Sequence, residues 1–352
     1  DVVNQARRSS VPSVFRMGPA DIILSPDVLQ ALAPDLIAAA GSMGNLRVSL
    51  SAMTQDESRR TLSGATPGDM VGLVTPASRV LTLTFVAVHP VTGNETQLTV
   101  DLARFQITFD PSLVDNPEHV GVFRIGSLVY LGGKVDLANK NVSADLTGFK
   151  EGEFVALEYK KTFDDVVGHW GRSDIELMAS KFVVNGMTAT TFEPDSTITR
   201  AEFVTMLVRS LGLDQYKPSE ATFSDAPRDA WYFGYVEAAF REGLAKGDGG
   251  AGSTFRPNAH INREEMAALI VRAQSLYGAP AKALTADEAD NLLQFFTDAA
   301  SVSQWARTEA AQAYQEGIIQ GRDGGQFAPT GNGTRAEGAT MMKRYMKKVG
   351  II

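Results

Sequence analysis

Two hydrophobic patterns divide the chain. Up to about residue 160 the apolar positions mostly alternate with polar ones. The clearest run, 80–88, is β-branched with strict alternation, and Pro90 to Glu95 reads as a hairpin turn from which 96–102 returns. Segments 21–24, 46–52, 105–109, 120–125, 128–131, 142–146 and 154–159 carry the same signal, separated by turns such as Gly132-Gly133 and Asn139-Lys140-Asn141. Many short strands at close spacing predict a mainly-β, sandwich-like domain. One helix is expected inside it, starting at Ser25-Pro26-Asp27, with Val28, Leu29, Leu32, Leu36 and Ile37 on one face and an end near Gly41. Residues 1–18 read as a polar tether or the start of a strand. Residues 54–70, rich in Ser, Thr, Gly and Asp, read as loop.

Beyond Lys160-Lys161-Thr162, a very short linker, the period becomes helical. Thr199-Arg200-Ala201-Glu202 opens a stripe of Phe203, Met206 and Leu207. Asn262-Arg263-Glu264-Glu265 opens one of Met266, Leu269 and Ile270, and Thr334-Arg335-Ala336-Glu337 one of Met341, Met342 and Tyr345. Thr or Asn caps each helix, and the Glu three positions on completes a capping box. Each Arg then stands at the first helical position, beside free backbone N–H groups and the positive end of the helix dipole, where an anion is favoured.

The register extends well upstream. Phe192-x-Pro194, Phe255-x-Pro257 and Phe327-x-Pro329 each place their Pro six residues before the Arg. The three tryptophans, Trp170, Trp231 and Trp305, precede it by 30, 32 and 30. Before each Trp lies Phe-x-Asp, with Asp165, Asp225 and Asp298. Sixteen residues after each Trp come Gly186, Gly247 and Gly321; twelve after come Gly243 and Gly317, but Phe182 in the first copy. This is a threefold repeat of about 60–70 residues. Each copy reads as a loop, a helix after the Trp, a second loop and the capped helix. One copy has too little apolar surface to fold alone, whereas three share a core. Thr285-Ala286-Asp287-Glu288 is a further capping box, starting a short linking helix with Leu292 and Leu293.

These residues, in this order and three times over, closely resemble three tandem S-layer homology (SLH) domains, over 162–352. The resemblance implies an all-α, pseudo-threefold unit with grooves between repeats. The grooves would hold a secondary cell wall polysaccharide of Gram-positive bacteria, often carrying pyruvate ketals, with Arg200, Arg263 and Arg335 contacting the acidic sugar. It further implies a secreted, wall-bound protein. The stretch 119–136 resembles modules that precede SLH repeats in bacillus-type surface proteins, and that likeness implies no activity. The expected architecture is multidomain: 1–161 β-rich, then repeats at 162–213, 214–278 and 279–352 forming one folded unit.

Bland readings stand beside these. The tryptophans are core, or groove walls stacking on sugar faces. The three Asp residues cap a turn, hold an Arg, or meet ligand. The five glycines serve close approach to a helix or to ligand. The capping Glu residues are structural, so no catalytic residue is proposed. Glu264, an extra acid beside Arg263, is expected to lower anion affinity there, and Gly338 to loosen the third helix start.

Composition narrows the field. The net charge of −8 over 352 residues argues against a nucleic-acid partner. With no cysteine there are no disulfides or thiolate metal sites, and no run of 18 apolar residues offers a membrane span. The four histidines lack metal-ligand spacing, and Asp248-Gly249-Gly250 only hints at a calcium loop, so no metal or cofactor is expected. The start at Asp1 reads as that of a processed or truncated piece. Wall anchoring is the leading expectation. Two others accompany it: a self-assembling lattice protein contacting other S-layer subunits, and the anchor end of a larger extracellular enzyme.

Overall fold

The computed structural model describes residues 13–24, 45–66, 73–89, 91–98, 100–126, 128–149, 151–247, 253–276 and 280–352. The helix expected over 25–41 and the Asp248-Gly249-Gly250 turn lie outside them. The chain divides into two compact units, one ending at Lys160 and one running from Lys161 to Ile351.

The first unit is two antiparallel sheets around one apolar core. Its strands are β1 Ser13–Arg16, β2 Ala20–Leu24, β3 Asn45–Ala52, β4 Val74–Pro76, β5 Leu81–Val88, β6 Glu95–Gln97, β7 Val100–Thr108, β8 Val120–Arg124, β9 Val129–Gly132, β10 Lys134–Asp136, β11 Asn141–Phe149 and β12 Glu151–Tyr159. One sheet runs β1-β2-β7-β11-β10 and the other β3-β5-β12-β8-β9, with β4 added to β12 and β6 to β5. In β5 every second residue is buried, as its alternation requires. Leu81, Leu83, Phe85 and Phe154 of one sheet meet Ile22, Phe105, Ile107 and Val142 of the other in a shared core. The segment expected as one strand over 96–102 is divided: β6 closes the hairpin on β5, then β7 joins the opposite sheet.

Residues 54–70 are not all loop. Helix α1, Gln55–Ala65, opens on a capping box between Thr54 and Glu57. Its polarity hid it, since only Ser58 and Leu62 are buried, but the Thr-x-x-Glu signal was in the sequence.

The second unit holds α2 Arg172–Ser180, α3 Arg200–Ser210, α4 Phe233–Arg241, α5 Arg263–Leu276, α6 Ala286–Leu293, α7 Arg307–Gln315 and α8 Arg335–Val349. Helix α6 is the linking helix expected from Thr285, and Leu293 is its buried contact. The capped helices are α3, α5 and α8, and their apolar stripes are buried. Each packs on the first helix of the next repeat: α3 on α4, α5 on α7, and α8 back on α2. The three repeats thus close a ring.

A hydrogen-bond cycle forms the hub. Ile198 N–H donates to Gly333 C=O (3.0 Å), Gly333 N–H to Ile261 C=O (3.0 Å), and Ile261 N–H to Ile198 C=O (3.1 Å). These residues stand two positions before the three boxed arginines. A side chain at Gly333 would meet the sulfur of Met266, which accounts for glycine where the other copies have Ile. Gly338 does not loosen its helix: the Thr334–Glu337 capping box is intact, and the open position faces Ile198, Phe203 and Met206 of repeat one.

The glycine pair has two distinct causes. At Gly186, Gly247 and Gly321 a Cβ would press on the Phe of Phe-x-Asp. Gly243 and Gly317 sit in open space at φ +74° and +70°, ending α4 and α7 with left-handed Schellman turns, and Phe182 ends α2 in the same conformation at +58°. Gly186→Ala would also overlap the carbonyls of Thr188 and Thr191, so it is expected to lose about 3 kcal/mol or more. Gly317→Ala meets only backbone strain of about 1–2 kcal/mol. Thermal melts of both variants test this, and equal losses would mean that close approach is not what requires glycine at 186.

Candidate functional site

The joints between repeats are built from the recurring motif. Within each repeat the Asp of Phe-x-Asp accepts two N–H groups of the Phe-x-Pro turn. Asp165 takes Phe192 (2.9 Å) and Glu193 (2.7 Å); Asp225 takes Phe255 (2.7 Å) and Arg256 (2.8 Å); Asp298 takes Phe327 (2.7 Å) and Ala328 (2.8 Å). The middle residue of each turn is left-handed, at φ +60°, +59° and +55° for Glu193, Arg256 and Ala328. The two motif Phe rings of each repeat pack together, with centroids 5.3–5.4 Å apart.

Each turn then receives the arginine of the preceding repeat. Arg200 Nε donates to Phe255 C=O (3.0 Å) and Nη1 to Glu265 (2.7 Å). Arg263 donates to Phe327 C=O (2.8 Å), Glu337 (2.7 Å) and Gln320 C=O (2.7 Å). Arg335 donates to Phe192 C=O (2.8 Å), Glu202 (3.0 Å) and Asn185 C=O (2.8 Å). Each guanidinium also lies over that Phe ring, at 4.6–5.8 Å. The capping Glu therefore closes its own helix and pairs with the previous repeat's arginine at once.

The helix starts are not open to an anion. Arg200 and Ala201 N–H donate to Ala259 and Pro257; Arg263 and Glu264 to Gly331 and Pro329; Arg335 and Ala336 to Ser196 and Pro194. The next N–H is taken by the cap side chain. The expectation of free N–H groups beside the arginines is thereby corrected: the neighbouring repeat occupies them. Arg263 and Arg335 are only 2% and 5% exposed. Burial pushes both guanidinium pKa values down, and Glu337 and Glu202 push them back up.

The expectation for Glu264 is corrected as well. It turns from the groove, is buried, and accepts Ser303 N–H (2.9 Å) and Oγ–H (2.7 Å) of repeat three.

The tryptophans are not core. Trp170, Trp231 and Trp305 are 63%, 58% and 54% exposed. Trp170 borders a groove of about 790 Å³ to which all three repeats contribute. Trp170 and Asp195 come from repeat one and Arg263 from repeat two. Repeat three supplies Gly321, Arg322, Asn332, Glu337, Thr340 and Arg344, among others. Arg322 grips Glu337 bidentately (2.8 and 2.7 Å) and donates to Asn332 C=O (2.8 Å). Arg344 donates to Gln320 Oε1 (2.9 Å), and desolvation pushes its pKa down. Motif reasoning missed both: Arg322 does not recur, since Met187 occupies the matching place in repeat one, whereas Arg344 does recur, nine residues after the boxed arginine, as Arg209 and Arg272.

Breaking a joint should be costly. Arg335→Ala leaves Glu202 half-paired and two carbonyls unsatisfied, a loss on the order of 3 kcal/mol, softened because Glu202 retains some water contact. A melt within about 0.5 kcal/mol of wild type would show that the clamp contributes little. A pH test follows from Glu337. Burial pushes its carboxyl up, but the Arg322 hydrogen bonds and the Arg263 charge prevail and hold it below 4.5. The unfolded chain therefore takes up this proton first. The stabilisation is complete above about pH 4.5 and is lost as pH falls through the folded-state value. Arg322→Gln is expected to lower the melting temperature at pH 7, with the gap to wild type narrowing by pH 3. A gap independent of pH counts against this coupling.

Comparison with known proteins bears on the same residues. The S-layer homology domain model matches 162–204, 222–267 and 295–339. An amylopullulanase of Thermoanaerobacterium thermosulfurigenes is 36% identical over 273 residues, 76% of this chain and 14% of that protein. An exoglucanase of Acetivibrio thermocellus is 37% identical over 204 residues, 58% of this chain and 18% of its own. The S-layer protein sap of Bacillus anthracis is 32% identical over 195 residues, 54% and 22% respectively. The chain thus spans less than a quarter of the length of each of these relatives.

Proposed function

We propose, from the three S-layer homology domains that the chain carries, that it anchors a surface protein non-covalently to the cell wall by binding an anionic secondary cell wall polysaccharide. The domains and the S-layer relatives indicate a cell-surface or cell-wall protein. Among the described residues no helix is long and apolar enough to cross a membrane. The observation that carries the reading is the groove beside Trp170, where an exposed indole stands near the guanidinium groups of Arg322 and Arg344. An aromatic face and a planar cation are what a sugar ring bearing a carboxylate, such as a pyruvate ketal, can use. Arg200, Arg263 and Arg335 set the groove walls, and Arg263 reaches the ligand side. Trp231 and Trp305, exposed in the same way, would serve the equivalent places of the other two repeats. The chain itself is read as non-catalytic.

A second reading concerns the parent protein. The amylopullulanase match is longer than the whole second unit, so it takes in part of the β unit too. This favours the anchor end of a larger extracellular enzyme over a lattice-forming protein.

The test is sedimentation with purified wall sacculi, intact and stripped of ketals by mild acid. Trp170→Ala and Arg344→Gln are each expected to weaken binding about tenfold or more, with melting temperatures close to wild type. Equal binding to stripped sacculi would remove the anionic ligand, and undiminished binding by both variants would remove this groove.

A further inference from the structure

The β unit has a cavity of its own, of about 920 Å³, where strand ends and loops of both sheets converge. Its walls come from the β1–β2 turn at Gly18-Pro19, helix α1, the β4–β5 turn at 76–79, the end of β7 with Asp110 to Leu113, and Lys140 of the β10–β11 turn. The size lies within the range of small-ligand pockets.

Its charge is one-sided. Arg59, Arg79 and Lys140 line it, and all three are exposed. Among the described residues none of the three has an ion pair or a side-chain hydrogen bond. The cavity's one carboxylate, Asp110, is turned onto its own backbone, accepting Ser112 N–H (2.9 Å) and Oγ–H (2.7 Å). Asp110 titrates below its ordinary value, because of those Ser112 bonds first and the nearby Lys140 charge after them. Three cations around a concave, partly apolar surface focus a positive potential into it. Such a cluster in a chain of net charge −8 is not a general surface property.

Two details mark a built pocket. Lys140 sits at φ +52°, a left-handed conformation that Gly or Asn adopts more easily. The turn is pinned there by Phe109 N–H to Lys140 C=O (3.0 Å). Strain of this kind persists where the surroundings impose it, and it gathers at ligand clamps. Leu113, half exposed, adds an apolar edge beside Pro111. The walls are strand ends, turns and the first turns of helix α1.

We propose that this end of the β unit binds a carboxylate-bearing ligand of sugar-acid size, free or at the tip of a glycan, with Arg59 and Arg79 forking the carboxylate and Lys140 adding charge. The site is separate from the repeats, so its failure leaves their reading untouched.

The experiment uses the full chain and calorimetric titration with galacturonic acid, trigalacturonic acid and galactose. Galacturonate is expected to bind and galactose not. Arg59→Gln/Arg79→Gln should weaken galacturonate binding at least tenfold. Lys140→Gly removes charge while relieving the turn, so it should weaken binding and raise the melting temperature, which separates recognition from folding. Saturation by the trimer alone would identify a chain-borne sugar acid. Phenylglyoxal modification mapped by mass spectrometry should show Arg59 and Arg79 protected by ligand. Three results each overturn the proposal: no saturable binding of either acid, equal binding of galactose, or unchanged binding by the arginine variant.

Discussion

Arg263 and Arg335 are buried cations whose hydrogen-bond partners belong to the next repeat, and part-buried Arg200 reaches the next repeat in the same way. Burying a guanidinium is unfavourable unless its donors are satisfied and its charge is met. Arg263 and Arg335 meet this condition only when the neighbour presents a Phe carbonyl, a second carbonyl and a capping glutamate together. Neither repeat two nor repeat three satisfies its own arginine. Ring closure is therefore a condition of folding for this unit as well as its outcome, and the groove beside Trp170 exists because the joints hold its walls.

The motif is a joint read off in sequence order. Asp fixes the Phe-x-Pro turn, the turn's carbonyl receives the incoming arginine, and an extended segment follows. Pro194 and Ser196 accept from repeat three, Ile198 bonds to both neighbours, and Arg200 opens the helix. Six residues is the length of chain that makes those contacts in turn, which accounts for the invariant Pro-to-Arg spacing. The recurrence that drew attention to a ligand thus has a structural cause of its own. Of the cations that line the groove beside Trp170, Arg322 is the one without a counterpart in repeat one, while Arg344 recurs as Arg209 and Arg272.

Legibility followed periodicity. The capped helices, the alternating strand β5 and the linking helix after Thr285 were plain in the sequence because each carries a full local signal. The helix at Gln55–Ala65 was not, since a nearly all-polar surface helix lacks the apolar stripe that identifies one. What the arginines touch could not be read either. A capped helix start looks the same from sequence whether its N–H groups face water, an anion or a neighbouring loop. The exposure of the tryptophans was likewise undecidable, because an indole at a helix lead-in serves a core or a groove equally well.

The arginine and helix-start bonds all point one way, opposite in sense to the hub cycle. Repeat one donates to two, two to three, and three back to one, so no repeat is first or last and none needs a polar capping unit of the kind that seals a linear solenoid. A linear array can gain or lose a unit and remain sound. A closed directional ring cannot: a fourth repeat would have no vacant donor face to join, and two repeats would leave one buried cation with nothing to hold. The number of joints per unit is thereby fixed by geometry. A larger assembly must come from adding whole rings, never from extending one.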